Sequence, residues 1–190
     1  MIIKNIHLTN IKSNVNIIFV VGNSASGKST LADNIGKKLK YDVVHMDEMI
    51  RNLSKNHVNG MKITKLYKEK QYMVEKKIII QQIKDIIKKS GHLIVEGTIW
   101  DPYIIKQISK NYSFQLIYVQ PSTKRKYFNR IMKRVKEGTM SIVKKSLTNE
   151  ELKNEKKVKE LVHKIVNMRF EQFEEDYKIF HEFTLCVLKY

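Results

Sequence analysis

One short segment constrains the fold of this chain more than any other. Residues 22–29 read Gly-Asn-Ser-Ala-Ser-Gly-Lys-Ser, the complete G-x-x-x-x-G-K-S pattern of a phosphate-binding loop. The loop follows an apolar run at 16–21 and precedes a segment with helical spacing at 29–40. Glycines at both ends of the loop let the backbone curve around an anion, so that successive N–H groups point inward. The helix N-terminus adds its positive end. This strand, loop and helix predict a site for a nucleoside triphosphate.

Residues of the loop have expected roles in binding that ligand. Lys28 is expected to reach the β- and γ-phosphate oxygens, and the Ser29 hydroxyl is expected to ligate Mg²⁺. The predicted nucleotide-binding residues are Gly22, Asn23, Ser24, Ala25, Ser26, Gly27, Lys28, Ser29, Thr30 and, further along the chain, Arg125. ATP and Mg²⁺ are therefore the predicted cofactors.

The composition fits a single globular domain. The chain has 190 residues, 42% of them apolar, and we find no Pro/Gly-rich linker or repeat, so residues 1–190 are predicted to form one domain. No apolar run approaches the roughly 18 residues of a membrane span, and the N-terminus lacks the pattern of an export signal. We expect a cytoplasmic protein without a membrane partner. The sequence leaves the oligomeric state open.

The net charge of +17 raises the question of nucleic acid as a partner. Of 36 basic residues only five are arginine, and the lysines are scattered along a chain that is also rich in Asn and Ile. An AT-rich genome produces this combination without selection for binding, and solvated helix faces account for most of the lysines. Nucleic acid is thus a possible partner but not the favoured one.

Apolar runs alternate with longer helical segments along the chain. Four runs are predicted as buried strands, and a weaker fifth lies near the C-terminus; they are 16–21, 41–46, 92–95, 114–119 and 183–188. Helical spacing marks 29–40, 62–89 and 121–137, and the stretch 148–181 is charged and amphipathic. This alternation predicts an α/β fold in which helices cover both faces of a parallel sheet. The extreme N-terminus is a further candidate for an edge strand.

An acidic residue follows the second predicted strand, at the sheet edge where ligands of parallel sheets bind. Asp47 can accept the proton of an attacking hydroxyl or hold that hydroxyl in line with the γ-phosphate, which makes it the candidate base. An N-cap role for the same residue is compatible with this. Arg51 lies one helical turn later. It is expected either to clamp an anionic group of the acceptor or to pair with Asp47 at the surface.

The third predicted strand ends in Glu96-Gly97. Glu96 is a candidate for holding Mg²⁺ through water, as a Walker-B carboxylate does, or for contacting the acceptor. Gly97 is expected to let the acceptor approach the backbone. Trp100 follows directly, and it is expected either to stack on an acceptor ring or to pack beneath a loop.

Three of the five arginines, Arg125, Arg130 and Arg134, lie close together after the fourth predicted strand. Arg130 and Arg134 are one helical turn apart, so their guanidinium groups share a helix face and can neutralise charge on a transferring phosphoryl group. In a chain that otherwise uses lysine, arginine at these positions indicates that the fork geometry matters. The alternative is a basic, solvated helix.

Together these features resemble the P-loop small-molecule kinases of the nucleoside, nucleotide and shikimate kinase type, which are adenylate-kinase-like P-loop NTPases. The resemblance spans most of residues 16–134, and the loop at 22–29 is its most specific motif. It implies a three-layer αβα fold with a five-stranded parallel sheet in the order 2-3-1-4-5. It also implies a helical lid at about 122–145 and an acceptor-binding region at about 51–75.

The sequence also departs from individual subclasses of these kinases. Adenylate-type monophosphate kinases usually follow the third strand with Asp-Gly-x-Pro-Arg, but the stretch 96–102 here contains no arginine. Shikimate kinases carry a second aspartate two residues before the catalytic one, where this chain has His45. The Glu-Gly step is similar to that of uridine-kinase relatives. Polynucleotide 5′-hydroxyl kinases and zeta-type toxin kinases share the loop, the aspartate and the arginines.

We therefore expect an ATP·Mg-dependent phosphotransferase that acts on a small-molecule hydroxyl or on a nucleoside or nucleotide. The predicted catalytic residues are Lys28, Asp47, Arg130 and Arg134; the acceptor-binding residues are Asp47, Arg51, Glu96, Gly97 and Trp100; the metal-binding residues are Ser29 and Glu96. One alternative is a kinase of nucleic-acid 5′-hydroxyl ends or of the zeta-toxin type. Another is a nucleotide-dependent regulatory switch without an acceptor.

Overall fold

The computed structural model describes residues 2–3, 11, 14–55, 72–97, 102–180 and 184–189. The strands in this part of the chain are β1 (Ile2–Ile3), β2 (Ile17–Val21), β3 (Asp42–His45), β4 (Leu93–Gly97), β5 (Phe114–Gln120) and β6 (Thr184–Lys189). The helices are α1 (Lys28–Leu39), α2 (Met46–Lys55), α3 (Tyr72–Ser90), α4 (Pro102–Ser109), α5 (Lys124–Lys136), α6 (Ser141–Ser146), α7 (Asn149–Lys153) and α8 (Glu155–Phe180).

The described strands form one parallel sheet in the order β1-β6-β5-β2-β4-β3. Counted over the five strands predicted from the sequence, this is the order 2-3-1-4-5, and the fold class is confirmed. The sheet has a further, two-residue strand at one edge, where Ile2 and Ile3 pair with Val187 and Leu188 of β6. This is the edge strand for which the N-terminal sequence is a candidate.

Strand β2 lies inside the sheet because all of its side chains are apolar and buried. Ile17, Phe19 and Val21 pack with residues of α3 and α4, whereas Ile18 and Val20 pack with residues of α1. A strand that is covered on both faces needs no polar alternation, which explains the continuous apolar run in the sequence. The loop that follows β2 is thereby fixed at the carboxyl edge of the sheet.

A third apolar cluster joins α5 and α8 beside this loop. Tyr127 and Ile131 of α5 pack with Val162 and Ile165 of α8, and Ala25 of the loop belongs to the same cluster. Burial of these side chains favours a fixed position of both helices against the loop. The cluster thereby positions the polar side chains of α5 and α8 around the loop.

The amphipathic stretch 148–181 contains two helices, α7 and α8, which meet at Asn154. Asn154 Oδ1 accepts hydrogen bonds from the backbone N–H groups of Lys156 and Lys157 at 3.1 and 3.2 Å. These are contacts typical of an N-cap, so a new helix begins at this position.

The expected lid at 122–145 contains α5 and nearly all of α6. Gly138, with a φ of +66°, lies just after the end of α5 in the left-handed conformation typical of a helix C-terminus. The first part of the predicted helix at 62–89 lies outside the described residues, and the rest belongs to α3. Among the described helices, none combines the length and hydropathy that crossing a bilayer requires.

Candidate functional site

The loop after β2 has a backbone that curves around a central space. Gly22, Ala25 and Gly27 have φ angles of +155°, +64° and +99°. A Cβ at Gly22 would overlap the backbone carbonyl oxygen of Val119 in β5 and would lie 3.0 Å from Ser26 Oγ. Glycine is therefore required at this position. Gly27 is also the N-cap of α1, so the helix N-terminus begins directly at the end of the loop.

Lys28, the first residue of α1, forms a buried ion pair across the site. Its Nζ lies 3.0 Å from Glu96 Oε1, and the two side chains are 8% and 7% exposed. The parallel register places Glu96 opposite Val20, one residue before β2 ends. The Glu96 carboxylate therefore binds the ammonium group that the sequence assigns to phosphate.

The other oxygen of Glu96 is also engaged. Glu96 Oε2 lies 2.9 Å from His45 Nδ1, and His45 Nε2 lies 3.2 Å from Asp33 Oδ1 of α1. His45 and Glu96 are partners in the β3–β4 ladder, so strand pairing brings the imidazole and the carboxylate together. Lys28, Glu96, His45 and Asp33 form a continuous series of charged groups, which we call the charged chain.

The charged chain determines how its members bind protons. Burial by itself raises the pKa of Glu96, but the charge of Lys28 and the hydrogen bond from His45 outweigh burial and hold the pKa below its ordinary value. Burial lowers the pKa of His45, whereas the hydrogen bonds and charges of Glu96 and Asp33 exceed that effect and leave the pKa raised. Glu96 is therefore ionised at neutral pH, and His45 keeps its proton to a higher pH than a free imidazole.

A cavity of about 300 Å³ lies between the loop and α5. On the side of the loop and α1, its lining residues are Ala25, Gly27, Lys28, Ser29 and Thr30. On the side of α5, they are Arg130, Lys133, Arg134 and Glu137. Residues of the loop, the N-terminus of α1 and basic residues of α5 thus surround one space. This first cavity has the chemistry that suits a polyphosphate.

Two arginines of α5 contact the loop directly. Arg130 Nη1 donates to the backbone carbonyl oxygen of Ser26 at 2.7 Å, and Arg134 Nη1 donates to Ser24 Oγ at 3.2 Å. Tyr127, one turn earlier, donates its hydroxyl to the Ser24 carbonyl oxygen at 2.8 Å. The three side chains therefore lie on the face of α5 that packs against the loop.

A second cavity, of about 250 Å³, borders the loop at Ser24. Asp47 lines it from the start of α2, and Arg169 lines it from α8. Its other lining residues are Tyr127, Thr139, Met140, Ile142 and Ile165. A carboxylate and a guanidinium thus border one space next to the phosphate-binding loop.

Arg169 is a residue of this site that the sequence interpretation missed. Its Nη1 donates to Asn23 Oδ1 at 3.3 Å and to Gln172 Oε1 at 3.5 Å. Asn23 is a buried loop residue, so this contact connects α8 to the beginning of the loop. No motif surrounds Arg169 in the sequence. The available signal was that it is one of only five arginines in a lysine-rich chain.

A family profile extends over most of this architecture. The sequence profile of a family described as an AAA domain matches residues 17–162. The chain belongs to this AAA domain family. The match includes the loop, the charged chain and α5, and it ends before Arg169. A search of curated protein sequences finds no significant match.

Solved structures share the fold of this AAA domain. Shikimate kinase from Bacteroides thetaiotaomicron superimposes with a TM-score of 0.55 at 11% identity, over 92% of this chain and 86% of that protein. Shikimate kinase from Acinetobacter baumannii, in complex with shikimate, gives a TM-score of 0.53 at 10% identity, over 94% and 85%. At these identities the likeness concerns the fold alone. The resemblance of this chain to P-loop small-molecule kinases is therefore confirmed at the level of the fold.

Two other arginines, which the sequence predicts to bind the acceptor and the nucleotide, are exposed in this AAA domain; they are Arg51 and Arg125. Arg51 Nε donates to the backbone carbonyl oxygen of Asp47 at 3.0 Å, so this contact is made with the backbone and not with the carboxylate. Arg125 lies at the start of α5 and does not line the first cavity. The predicted nucleotide contact of Arg125 stays a prediction.

The predicted acceptor-binding residues are only partly described. Gly97 ends β4 and is paired with Val21, so it lies at the carboxyl edge of the sheet as expected. Trp100 and residues 56–71 of the acceptor-binding region at 51–75 lie outside the described residues. Their predicted roles stay predictions.

The donor set at the first cavity suits a hard cation such as Mg²⁺. Ser29, which carries a hydroxyl, lines this cavity, and the Glu96 carboxylate is close to it because Glu96 contacts Lys28, another lining residue. Mg²⁺ prefers oxygen ligands of this kind and keeps several of its waters. Both Glu96 oxygens are engaged by Lys28 and His45, so Glu96 fits a water-mediated contact better than direct ligation.

Proposed function

We propose that this AAA domain is an ATP·Mg-dependent kinase that transfers the γ-phosphoryl group to a hydroxyl of a small acceptor. The observation that carries the proposal is the presence of two cavities at neighbouring residues of one loop. Lys28, Arg130 and Arg134 line the first cavity, and Asp47 lines the second. Phosphoryl transfer to a hydroxyl requires a triphosphate site and a carboxylate in such proximity.

In the proposed reaction the first cavity holds the triphosphate. The loop N–H groups and the N-terminus of α1 bind the β-phosphate. The Lys28 ammonium leaves the Glu96 carboxylate and binds phosphate oxygens instead. The Ser29 hydroxyl would be a ligand of Mg²⁺. When bound, Mg²⁺ neutralises charge on the β- and γ-phosphate oxygens. Arg130 and Arg134 already contact the loop, so they need little reorganisation to bind the transferring group.

The second cavity holds the acceptor in this proposal. Asp47 accepts the proton of the acceptor hydroxyl while the hydroxyl oxygen forms a bond to the γ-phosphorus. The bond between the γ-phosphorus and the β,γ-bridging oxygen breaks, and the electron pair leaves with ADP. Water would compete with the acceptor, so we propose that the lid at 122–145, whose helix α5 already contacts the loop, excludes water from the site during transfer.

A second candidate function is phosphorylation of nucleic-acid 5′-hydroxyl ends. The net charge of +17 favours it, because a positive surface attracts the phosphate backbone. This candidate predicts that short oligonucleotides with a 5′-hydroxyl bind with a steep salt dependence and become phosphorylated. The small-acceptor proposal predicts no phosphorylation of the oligonucleotides, so phosphorylation and not binding separates the two candidates.

The test is ADP release from ATP·Mg across acceptor classes. The panel contains nucleosides, nucleoside monophosphates, small hydroxylated metabolites and 5′-hydroxyl oligonucleotides, with Lys28→Ala as the control. Stimulation by a small acceptor, abolished in Lys28→Ala, supports the proposal, and stimulation by oligonucleotides alone supports the second candidate. ATP binding with slow hydrolysis and no stimulation by any class would contradict both and favour a regulatory switch.

A further inference from the structure

Arg169 carries a charge that its own hydrogen bonds do not balance. Its two acceptors, Asn23 Oδ1 and Gln172 Oε1, are neutral amide oxygens. In the described part of the chain, the ion pairs involve other cations, and none joins a carboxylate to the Arg169 guanidinium. Arg169 is only partly exposed, and partial removal of a cation from water is unfavourable without an anion beside it. An anionic ligand at this position would restore the balance.

The cavity beside Arg169 also contains Asp47. The two side chains line the same 250 Å³ space without forming an ion pair, so a small ligand can lie between them. Hydroxyl-bearing residues and apolar residues complete the lining: Ser24, Tyr127, Thr139, Met140, Ile142 and Ile165. This lining suits a small molecule with a hydroxyl toward Asp47 and a negative group toward Arg169.

We propose that the phosphoryl acceptor is a small anionic alcohol, a molecule that carries a carboxylate or a phosphate monoester beside the reacting hydroxyl, and that Arg169 binds this anionic group. The proposal rests on the kinase function proposed above. An arginine fork binds two oxygens of either anion at once, which fixes the orientation of the acceptor as well as its affinity. With the negative group held at Arg169, the hydroxyl is directed toward Asp47.

The first experiment measures anion binding without turnover. The protein is saturated with Mg²⁺ and β,γ-imido-ATP, which fills the first cavity, and sulfate is titrated by calorimetry. Arg169→Met is compared with Lys164→Met, which removes an exposed charge from the same helix. We expect sulfate affinity to fall at least about tenfold in Arg169→Met and to change little in Lys164→Met. Equal sulfate binding in wild type and Arg169→Met would overturn the anion site.

The same titration separates ligand binding from support of the loop. If Arg169 mainly holds Asn23 in place, Arg169→Met will weaken the binding of β,γ-imido-ATP as much as the binding of sulfate, and the proposal fails. We expect the affinity for β,γ-imido-ATP to stay within about twofold of wild type. Arg169→Lys keeps the charge but loses the fork, so it should recover only part of the sulfate affinity.

The second experiment uses acceptors in matched pairs. Each hydroxy acid is paired with its carboxamide, and each sugar phosphate is paired with the free sugar, so that the two arms distinguish a carboxylate from a phosphate. We expect ADP release to be stimulated by anionic members, with a loss in kcat/KM of about 100-fold or more in Arg169→Met. Equal stimulation by neutral members would overturn the anionic acceptor while leaving the kinase function intact. No stimulation by either set would contradict the kinase function and the acceptor class together, whereas the sulfate titration would still decide the anion site.

Discussion

Replacement of Glu96 by glutamine tests the physical basis of the site most directly. In wild type the Lys28 ammonium lies 3.0 Å from a carboxylate, and both side chains are more than nine-tenths buried. Glu96→Gln keeps the size of the side chain and removes its charge, which leaves a buried ammonium beside a neutral amide. Removing one partner of a buried ion pair typically costs about 3–5 kcal/mol. The open side of the first cavity admits water to Lys28, so we expect the lower end, about 3 kcal/mol.

The expected loss of stability converts into a measurable shift. For a chain of this length, 1 kcal/mol corresponds to roughly 2–4 °C in Tm, so Glu96→Gln should melt about 6–12 °C below wild type in the absence of nucleotide. A bound triphosphate gives Lys28 a new anionic partner. In the variant, Lys28 has no carboxylate to release first, so the nucleotide should raise Tm by more than it does in wild type.

The assay is thermal unfolding followed by circular dichroism, with and without β,γ-imido-ATP and Mg²⁺. Glu155→Gln is the matched control, because Glu155 also forms a short ion pair, with Lys159 at 2.8 Å, but both side chains are at least half exposed. We expect the control to leave Tm nearly unchanged, since exposed ion pairs contribute little. A Tm of Glu96→Gln equal to that of wild type would refute the contribution of the ion pair. Additive effects of Lys28→Met and Glu96→Gln on the free energy of unfolding would refute it as well.

Three further predictions follow from the same geometry. Asp47→Asn should lower kcat about 100-fold or more while the nucleotide Kd stays within about twofold, and a full-rate variant would contradict the role of Asp47 as base. Gly22→Ala should lower Tm and abolish nucleotide binding measured by calorimetry, because the new Cβ overlaps the Val119 carbonyl oxygen. The charged chain should also make stability depend on pH. The contribution of Glu96 to stability is present above about pH 4.5 and is lost as the pH falls through the lowered pKa of Glu96. The contribution of His45 to stability is present below about pH 6.5 and is lost as the pH rises through the raised pKa of His45. The Tm difference between wild type and His45→Gln should therefore shrink as the pH rises above 6.5, and a constant difference would contradict this assignment.

The amino-acid sequence by itself determined the loop and the sheet. Gly22 and Gly27 have the positive φ angles that the motif requires, and this preference for glycine comes from local backbone sterics. The overlap of a Cβ at Gly22 with the Val119 carbonyl oxygen comes from the fold. The continuous apolar run of β2 requires burial on both faces, which is a property of a strand inside a parallel sheet. The same local patterns predicted that Asp47 and Glu96 lie at the carboxyl edge of the sheet.

Only the tertiary structure decided which side chains meet at that edge. The predicted role of Glu96, holding Mg²⁺ through water or contacting the acceptor, stays a prediction. The β2–β4 and β3–β4 registers also bring its carboxylate to Lys28 and His45, and no local pattern predicted these contacts. Arg169 reaches the loop because apolar packing between α5 and α8 places one face of α8 beside Asn23. These contacts join residues that are far apart in the chain. They depend on strand register and helix packing, which no local pattern contains, so the sequence predicted the loop and left the side chains around it to the fold.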